Sequence, residues 1–215
     1  MSRPPDSSSN RPAGSGLSRR SFLQGSALAT AGATVLGVAS TMSADAESAP
    51  DLDSGRIGPE AVPMTLNVNG TTRMLQVEPR MTLAETLRGP LELTGTKIAC
   101  NRGACSACTV WLDGAPICAC MMLTIDVGAR KVTTIEGLAQ HGELHPVQAA
   151  FIEYDALQCG FCTPGMVMSC AALLNRRPNP SAADVHAAIS GHVCRCGTYP
   201  HVIAATLAAA TPSHG

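Results

Sequence analysis

Eight cysteines in two tight groups limit what this chain can fold into more than any other feature. The groups are Cys100, Cys105, Cys108 and Cys120, then Cys159, Cys162, Cys194 and Cys196, and they take eight of the ten cysteines in 215 residues. Neighbouring thiolates converge readily on one metal centre, whereas disulfides usually join segments far apart in sequence. The grouping therefore points to metal before bridges. Cys100-x4-Cys105-x2-Cys108, with Cys120 after eleven further residues, has the spacing of plant-type [2Fe-2S] proteins. Gly103, Ala104, Ser106 and Ala107 keep the intervening loop lean, so backbone N–H groups can approach the sulfurs of an anionic cluster. Structural zinc is the competing use, but it favours pairs two to four residues apart in two matched knuckles. Cys118 lies two residues before Cys120 and competes with it for the fourth position; Cys120 is preferred.

The second group sits on helix starts. Cys159-Gly160-Phe161-Cys162-Thr163-Pro164-Gly165 runs directly into a helical pattern, with Pro164 near the first helical position, where its missing N–H costs nothing. Cys194-Arg195-Cys196-Gly197-Thr198-Tyr199-Pro200 repeats the arrangement before the last helix. Two helix N-termini, with free N–H groups and positive dipole ends, would then face four thiolates. A C-x2-C alone is compatible with zinc or a redox disulfide; a C-x-C at a second helix start strengthens the reading as cluster ligands.

Around these groups the chain divides into an address, a linker and two small domains. Residues 1–46 pair Arg19 with Arg20 ahead of Phe22 and Leu23, continue through a mildly apolar stretch without charge, and end at Ala44-Asp45-Ala46. That order resembles a twin-arginine signal with its cleavage site, and its Gly, Ala, Ser and Thr content does not favour stable membrane insertion. Without it, 11 basic and 14 acidic residues remain. Residues 47–62 have no periodicity and read as a linker. Alternating Met64, Leu66 and Val68 meet Leu75 and Val77 across Asn69-Gly70, a hairpin. Thr82 and Glu85 form a capping box for a helix stopped at Gly89-Pro90. Residues 109–112 and 116–120 flank Asp113-Gly114 as a second hairpin, and residues 132–135 make a last strand. Beyond His145 the apolar period is helical: Val147, Ala150, Phe151 and Tyr154, then Met166, Val167, Cys170, Leu173 and Leu174. Ser181 with Asp184 caps a third helix, and Val202, Ile203, Thr206, Leu207 and Ala210 mark a fourth.

Other chemistries find little support. A net charge of -1, no basic run and only six aromatic residues argue against a nucleic-acid partner. No dinucleotide or phosphate loop occurs, and no residue is assigned a catalytic role. Cys118 and Cys170 read as small apolar fillers, Trp111 as strand packing, and His141, His145, His186, His192 and His201 as scattered surface or packing residues.

Gly95-Thr96-Lys97, the run at 100–110, Gln158 through the Cys159–Cys162 loop to Met166, and Cys194-Arg195-Cys196 together resemble the small iron–sulfur subunit of the xanthine dehydrogenase and aldehyde oxidoreductase family of molybdenum hydroxylases. The likeness covers residues 63–210. It implies an α+β fold, with a ferredoxin-like β-grasp domain at 63–138 and a small four-helix bundle at 143–211, each holding a [2Fe-2S] cluster. It also implies that Gln158 contacts molybdopterin held by a large partner subunit, and that Cys196 lies beside the pterin while ligating iron. Electrons would pass through the second quartet, then the first, to FAD or haem in a flavin or cytochrome subunit. Two departures stand out. Ser106 occupies a position where the family commonly has Gly, so a positive φ there would cost on the order of 1 kcal/mol. Cys196-Gly197-Thr198-Tyr199 replaces the more usual Cys-Thr-Gly-Tyr. The segment His145-Pro146-Val147-Gln148-Ala149-Ala150-Phe151, together with the leader, most resembles the periplasmic aldehyde oxidoreductase branch. Alternatives are a free-standing two-cluster ferredoxin, the small subunit of an N-heterocycle hydroxylase, or a binding module stapled by zinc or disulfides.

Overall fold

A computed structural model describes residues 57–210; the twin-arginine segment and most of the linker lie outside the described residues. The first half is a five-stranded mixed sheet with strand order β2-β1-β5-β3-β4. Strands β1 (Val62–Val68) and β2 (Thr71–Val77) pair antiparallel with Val68 opposite Thr71, which leaves Asn69 and Gly70 as a two-residue turn. Both have positive φ, 52° and 74°, the geometry that matches the twist of a hairpin. The Asn69 side chain then reaches across 65 residues, accepting the Thr134 N–H at 2.8 Å and donating to the Thr134 hydroxyl at 2.9 Å.

Helix α1 (Leu83–Arg88) starts at the expected capping box, with Thr82 and Glu85 bonded reciprocally, and stops at Gly89. It packs Leu83, Ala84 and Leu87 against Leu66, Val68, Val110, Leu112 and Val132. Strands β3 (Thr109–Leu112) and β4 (Ala115–Cys118) flank a second positive-φ turn at Asp113 and Gly114, and β5 is Lys131–Thr133.

Two expected strand ends are corrected. The strand read over 116–120 ends at Cys118, because the Ala119 N–H turns to the Cys108 carbonyl at 3.2 Å and residues Ala119–Met121 form a 3-10 turn. Cys120 is thus off the strand. The strand read over 132–135 ends at Thr133, where the Asn69 side chain captures Thr134 and Ile135–Gly137 becomes another 3-10 turn.

Four helices follow, as the period suggests: α2 (Pro146–Glu153), α3 (Thr163–Arg176), α4 (Ala182–Ile189) and α5 (Tyr199–Ala210). His145 caps α2 by accepting the Val147 N–H on its ring, and Ser181 with Asp184 forms a capping box for α4. Helix α3 is buried continuously from Gly165 to Leu173, broader than the one-sided stripe read from sequence, because it has neighbours on every side.

One of those neighbours is β3, whose four residues are all buried. Successive strand residues face opposite sides: Val110 and Leu112 join the sheet core, while Trp111 joins Met166, Met168, Phe151 and Ile189 in the helical core. The Trp111 indole N–H donates to the Met168 carbonyl at 2.8 Å. Trp111→Phe keeps most of the packing and loses only the indole bond to a carbonyl that still accepts within α3, and is expected to cost about 0.5–1.5 kcal/mol, read as a lower denaturant midpoint of the cluster-loaded chain.

Candidate functional site

The approach to the first cysteine loop is pinned before Cys100. The Arg88 guanidinium donates to the carbonyls of Thr94 and Thr96 at 2.7 and 2.8 Å, Lys97 donates to Thr94 at 2.7 Å, and the Gly95 N–H donates to the Glu136 carboxylate at 2.7 Å. A Cβ on Gly95 would lie 2.3 Å from Ile135, so the turn requires glycine.

Within the loop, Asn101, Gly103 and Ser106 all have positive φ, which curls the backbone so that its N–H groups point inward. The Gly103 N–H donates to Cys120 Sγ and the Ala104 N–H to Cys100 Sγ, both at 3.3 Å. The sequence expectation for Ser106 is met: its φ is 55°, a left-handed conformation that costs a non-glycine residue about 1–2 kcal/mol.

The thiols meet in pairs. The Arg102 N–H, the neighbouring Cys105 thiol and further loop N–H groups bring Cys100 down to about 7. Burial, followed by the adjoining Cys120 thiol and the Cys118 thiol beyond it, pushes Cys108 up to about 12. Cys120 is buried, bonded to Gly103 and paired with Cys108. Cys118 instead lies 3.9 Å from the Ser106 hydroxyl and the Gly103 carbonyl.

The second group is arranged similarly. Cys162 is the N-cap of α3, with Pro164 in its first turn. Burial, then the Cys194 thiol and Cys159, push Cys162 up to about 12. Burial opposes ionisation of Cys194 too. It is outweighed by the Thr198 hydroxyl and N–H, the Cys162 thiol and the Gly197 N–H, which bring Cys194 down to about 7. Cys159 is exposed and Cys196 half-buried. Gln158 is exposed beside Cys159, and Phe161 and Val193, 46% and 61% accessible, surround this end with apolar surface.

These residues fit a [2Fe-2S] cluster in each group. Adjoining thiols are Cys100 with Cys105, Cys108 with Cys120, and Cys162 with Cys194. Two sulfurs per iron is how four cysteines hold two irons. Inward N–H groups suit an anionic cluster, and thiols that resist ionisation together are relieved when a cation replaces their protons.

Contacts that sequence reasoning missed join the two groups. Gly165, in the first turn of α3, lies against the first loop, and a Cβ there would fall 2.4 Å from the Ser106 carbonyl. The Val193 N–H donates to the Cys105 carbonyl at 3.2 Å. The glycine in Cys162-Thr163-Pro164-Gly165 was a visible signal, although its partner was not. A cavity of about 730 Å³ between Asn69, Trp111, Gln140, His145 and Asn175 contains none of the cysteines and is no part of this site.

The two loops make opposite predictions. Ser106→Gly is expected to raise stability by about 0.5–1 kcal/mol, the relief of the left-handed residue less the added chain entropy. Gly165→Ala should lower it by about 1–3 kcal/mol by overpacking. Thermal unfolding of the two variants beside the parent chain checks both signs.

Comparison with known proteins agrees with the two-part site. Residues 66–133 match the 2Fe-2S iron-sulfur cluster binding domain family, and residues 134–207 match the [2Fe-2S] binding domain family. The aldehyde oxidoreductase iron-sulfur-binding subunit PaoA of Escherichia coli is 40% identical, over 88% of this chain and 86% of that protein. The beta subunit of the 6-hydroxypseudooxynicotine dehydrogenase complex of Paenarthrobacter nicotinovorans is 41% identical over 67% of this chain and 91% of its own length. Among solved structures, quinoline 2-oxidoreductase from Pseudomonas putida 86 aligns with a TM-score of 0.68 at 40% identity, covering 70% of this chain and 94% of that one. The aldehyde oxidoreductase from Desulfovibrio gigas aligns at 0.66 and 38%, with this chain matching 17% of the larger polypeptide.

Proposed function

Because this chain belongs to the iron–sulfur electron-transfer subunits of the molybdenum hydroxylases, we propose that it serves an exported complex that oxidises aldehydes. Support for the aldehyde branch comes from the reach of the likeness. The match to the Escherichia coli subunit takes in 88% of this chain, against 67–69% for the nicotine and 6-hydroxypseudooxynicotine enzymes.

Cys100, Cys105, Cys108 and Cys120 would hold one cluster, and Cys159, Cys162, Cys194 and Cys196 the other. Each [2Fe-2S] cluster, when bound, supplies a one-electron centre. The protein's own contribution is to orient and shield. Gly103 and Ala104 direct N–H groups at the first quartet's sulfurs, while Thr198 and Gly197 do so for Cys194. Burial of Cys108, Cys120 and Cys162 keeps water from those thiolates.

The large molybdopterin-binding partner would dock over the second quartet. The Gln158 amide there is exposed and has no hydrogen-bond partner among the described residues, leaving it available to the pterin. Cys196 is on the same accessible end, flanked by Phe161 and Val193. The first quartet, on the other side of Gly165, would face a flavin or cytochrome subunit. None of these residues supplies a nucleophile or base to substrate, so the chain alone should not turn over an aldehyde.

Export in the folded, loaded state by a twin-arginine route would bring the cysteines past the oxidising periplasm already occupied. Arg19→Lys with Arg20→Lys should leave a full-length precursor in the cytoplasm, visible by cell fractionation; normal periplasmic yield would refute this route.

The observation that carries the reading is the pairing of thiols in both groups, Cys100 with Cys105 and Cys108 with Cys120 in one and Cys162 with Cys194 in the other. Anaerobically purified chain should hold about four iron and four labile sulfide and, after dithionite, give two distinct EPR signals. Cys120→Ala should remove one cluster and Cys118→Ala neither. Colourless, EPR-silent protein of correct fold would reject the proposal.

A further inference from the structure

We propose that the Tyr199 hydroxyl is a positioning group that aims the Val193 peptide at Cys105, and so sets the link between the two cysteine quartets. The inference rests on the cluster reading above. It starts from an apparent mismatch: Val193 is 61% accessible and lies in a loop with no regular structure, yet its N–H is directed at another loop's carbonyl. An exposed amide ordinarily has water as an alternative partner. Something must fix its direction.

Tyr199 supplies that constraint through one oxygen. Its hydroxyl donates to the His192 carbonyl at 2.9 Å and accepts the Cys194 N–H at 2.8 Å. The His192 carbonyl and the Val193 N–H belong to the same peptide unit, which is planar and trans, so the two groups point in opposite directions. Holding the carbonyl toward Tyr199 therefore turns the N–H away from it, toward Cys105. The result is a continuous run of hydrogen bonds: Cys194 N–H to the Tyr199 hydroxyl, that hydroxyl to the His192 carbonyl, and the Val193 N–H to the Cys105 carbonyl. Each bond polarises the next. The run begins at a residue of one quartet and ends at a residue of the other.

Both ends of the clamp are anchored. The tyrosine ring packs against the helical core at the start of α5. The His192 ring is buried and bonded to the Ser169 hydroxyl on α3 at 2.7 Å. The loop thus has little freedom except at the Val193 peptide, and there the hydroxyl decides.

Tyr199→Phe removes that hydroxyl and keeps the ring. The test uses the full cluster-loaded chain, reading iron and sulfide content, hydrogen–deuterium exchange of the 191–196 segment, and low-temperature EPR of the fully reduced protein. The expected variant retains both clusters. Its 191–196 segment exchanges on the order of tenfold faster, and the magnetic interaction between its two reduced centres and the midpoint potential of the second both shift, while the signal of the first centre alone is unchanged. Parent-like exchange and spectra in Tyr199→Phe would overturn the proposal, as would faster exchange spread evenly over α5 and the core, the mark of lost packing. Should the variant not fold, the parent chain decides. Its Val193 amide must exchange more slowly than the Arg195 amide, and equal rates would overturn the proposal. A parent chain without two EPR signals would instead strike at the cluster reading.

Discussion

Sulfurs crowded into a small volume cannot all carry negative charge unless a cation takes the place of their protons, and that constraint organises this molecule. In each quartet one thiol is easily ionised, Cys100 or Cys194, while a buried one, Cys108 or Cys162, resists. The imbalance has the same origin in both: loop N–H groups and hydroxyls favour charge on the accessible sulfur, and burial together with the neighbouring thiol disfavours it on the enclosed one. Left-handed residues in the first loop and the entry to α5 in the second are the two backbone means of delivering those N–H groups.

The rest of the fold brings the two arrangements together. Strand β3 is a wall shared by both cores, with Val110 and Leu112 on one side and Trp111 on the other. The short segment following it, through β4 and the turn at Ala119–Met121, returns Cys120 to Cys108. Helix α3 begins at Cys162 and passes behind the first loop. The Gly165–Ser106 and Val193–Cys105 contacts thus join the two cysteine-bearing segments directly.

Much of this was legible from residue types. Asn69-Gly70 and Asp113-Gly114 mark turns that need positive φ, Thr82 with Glu85 and Ser181 with Asp184 mark helix starts, and the cysteine spacings mark the loops; all are local signals whose physics operates over a few residues. What escaped was long-range. The strand ends at Cys118 and Thr133 are set by the Cys108 carbonyl and the Asn69 side chain, which no nearby sequence announces. The capping role of His145 was masked because histidine is an unusual N-cap. Tyr199 read as a motif letter, since its hydroxyl acts on peptide groups five and seven residues back.

The missing side chain at position 165 also governs how the protein can vary. Contact there is backbone against helix, with the Ser106 carbonyl where a methyl would otherwise sit. The gap between the two thiol-bearing loops is therefore set by atomic radii common to all residues. Drift in the apolar interior on either side can reshape cavities and rotamers while the interval an electron must cross stays constant, so descendants of this sequence could diversify their cores without retuning the relay.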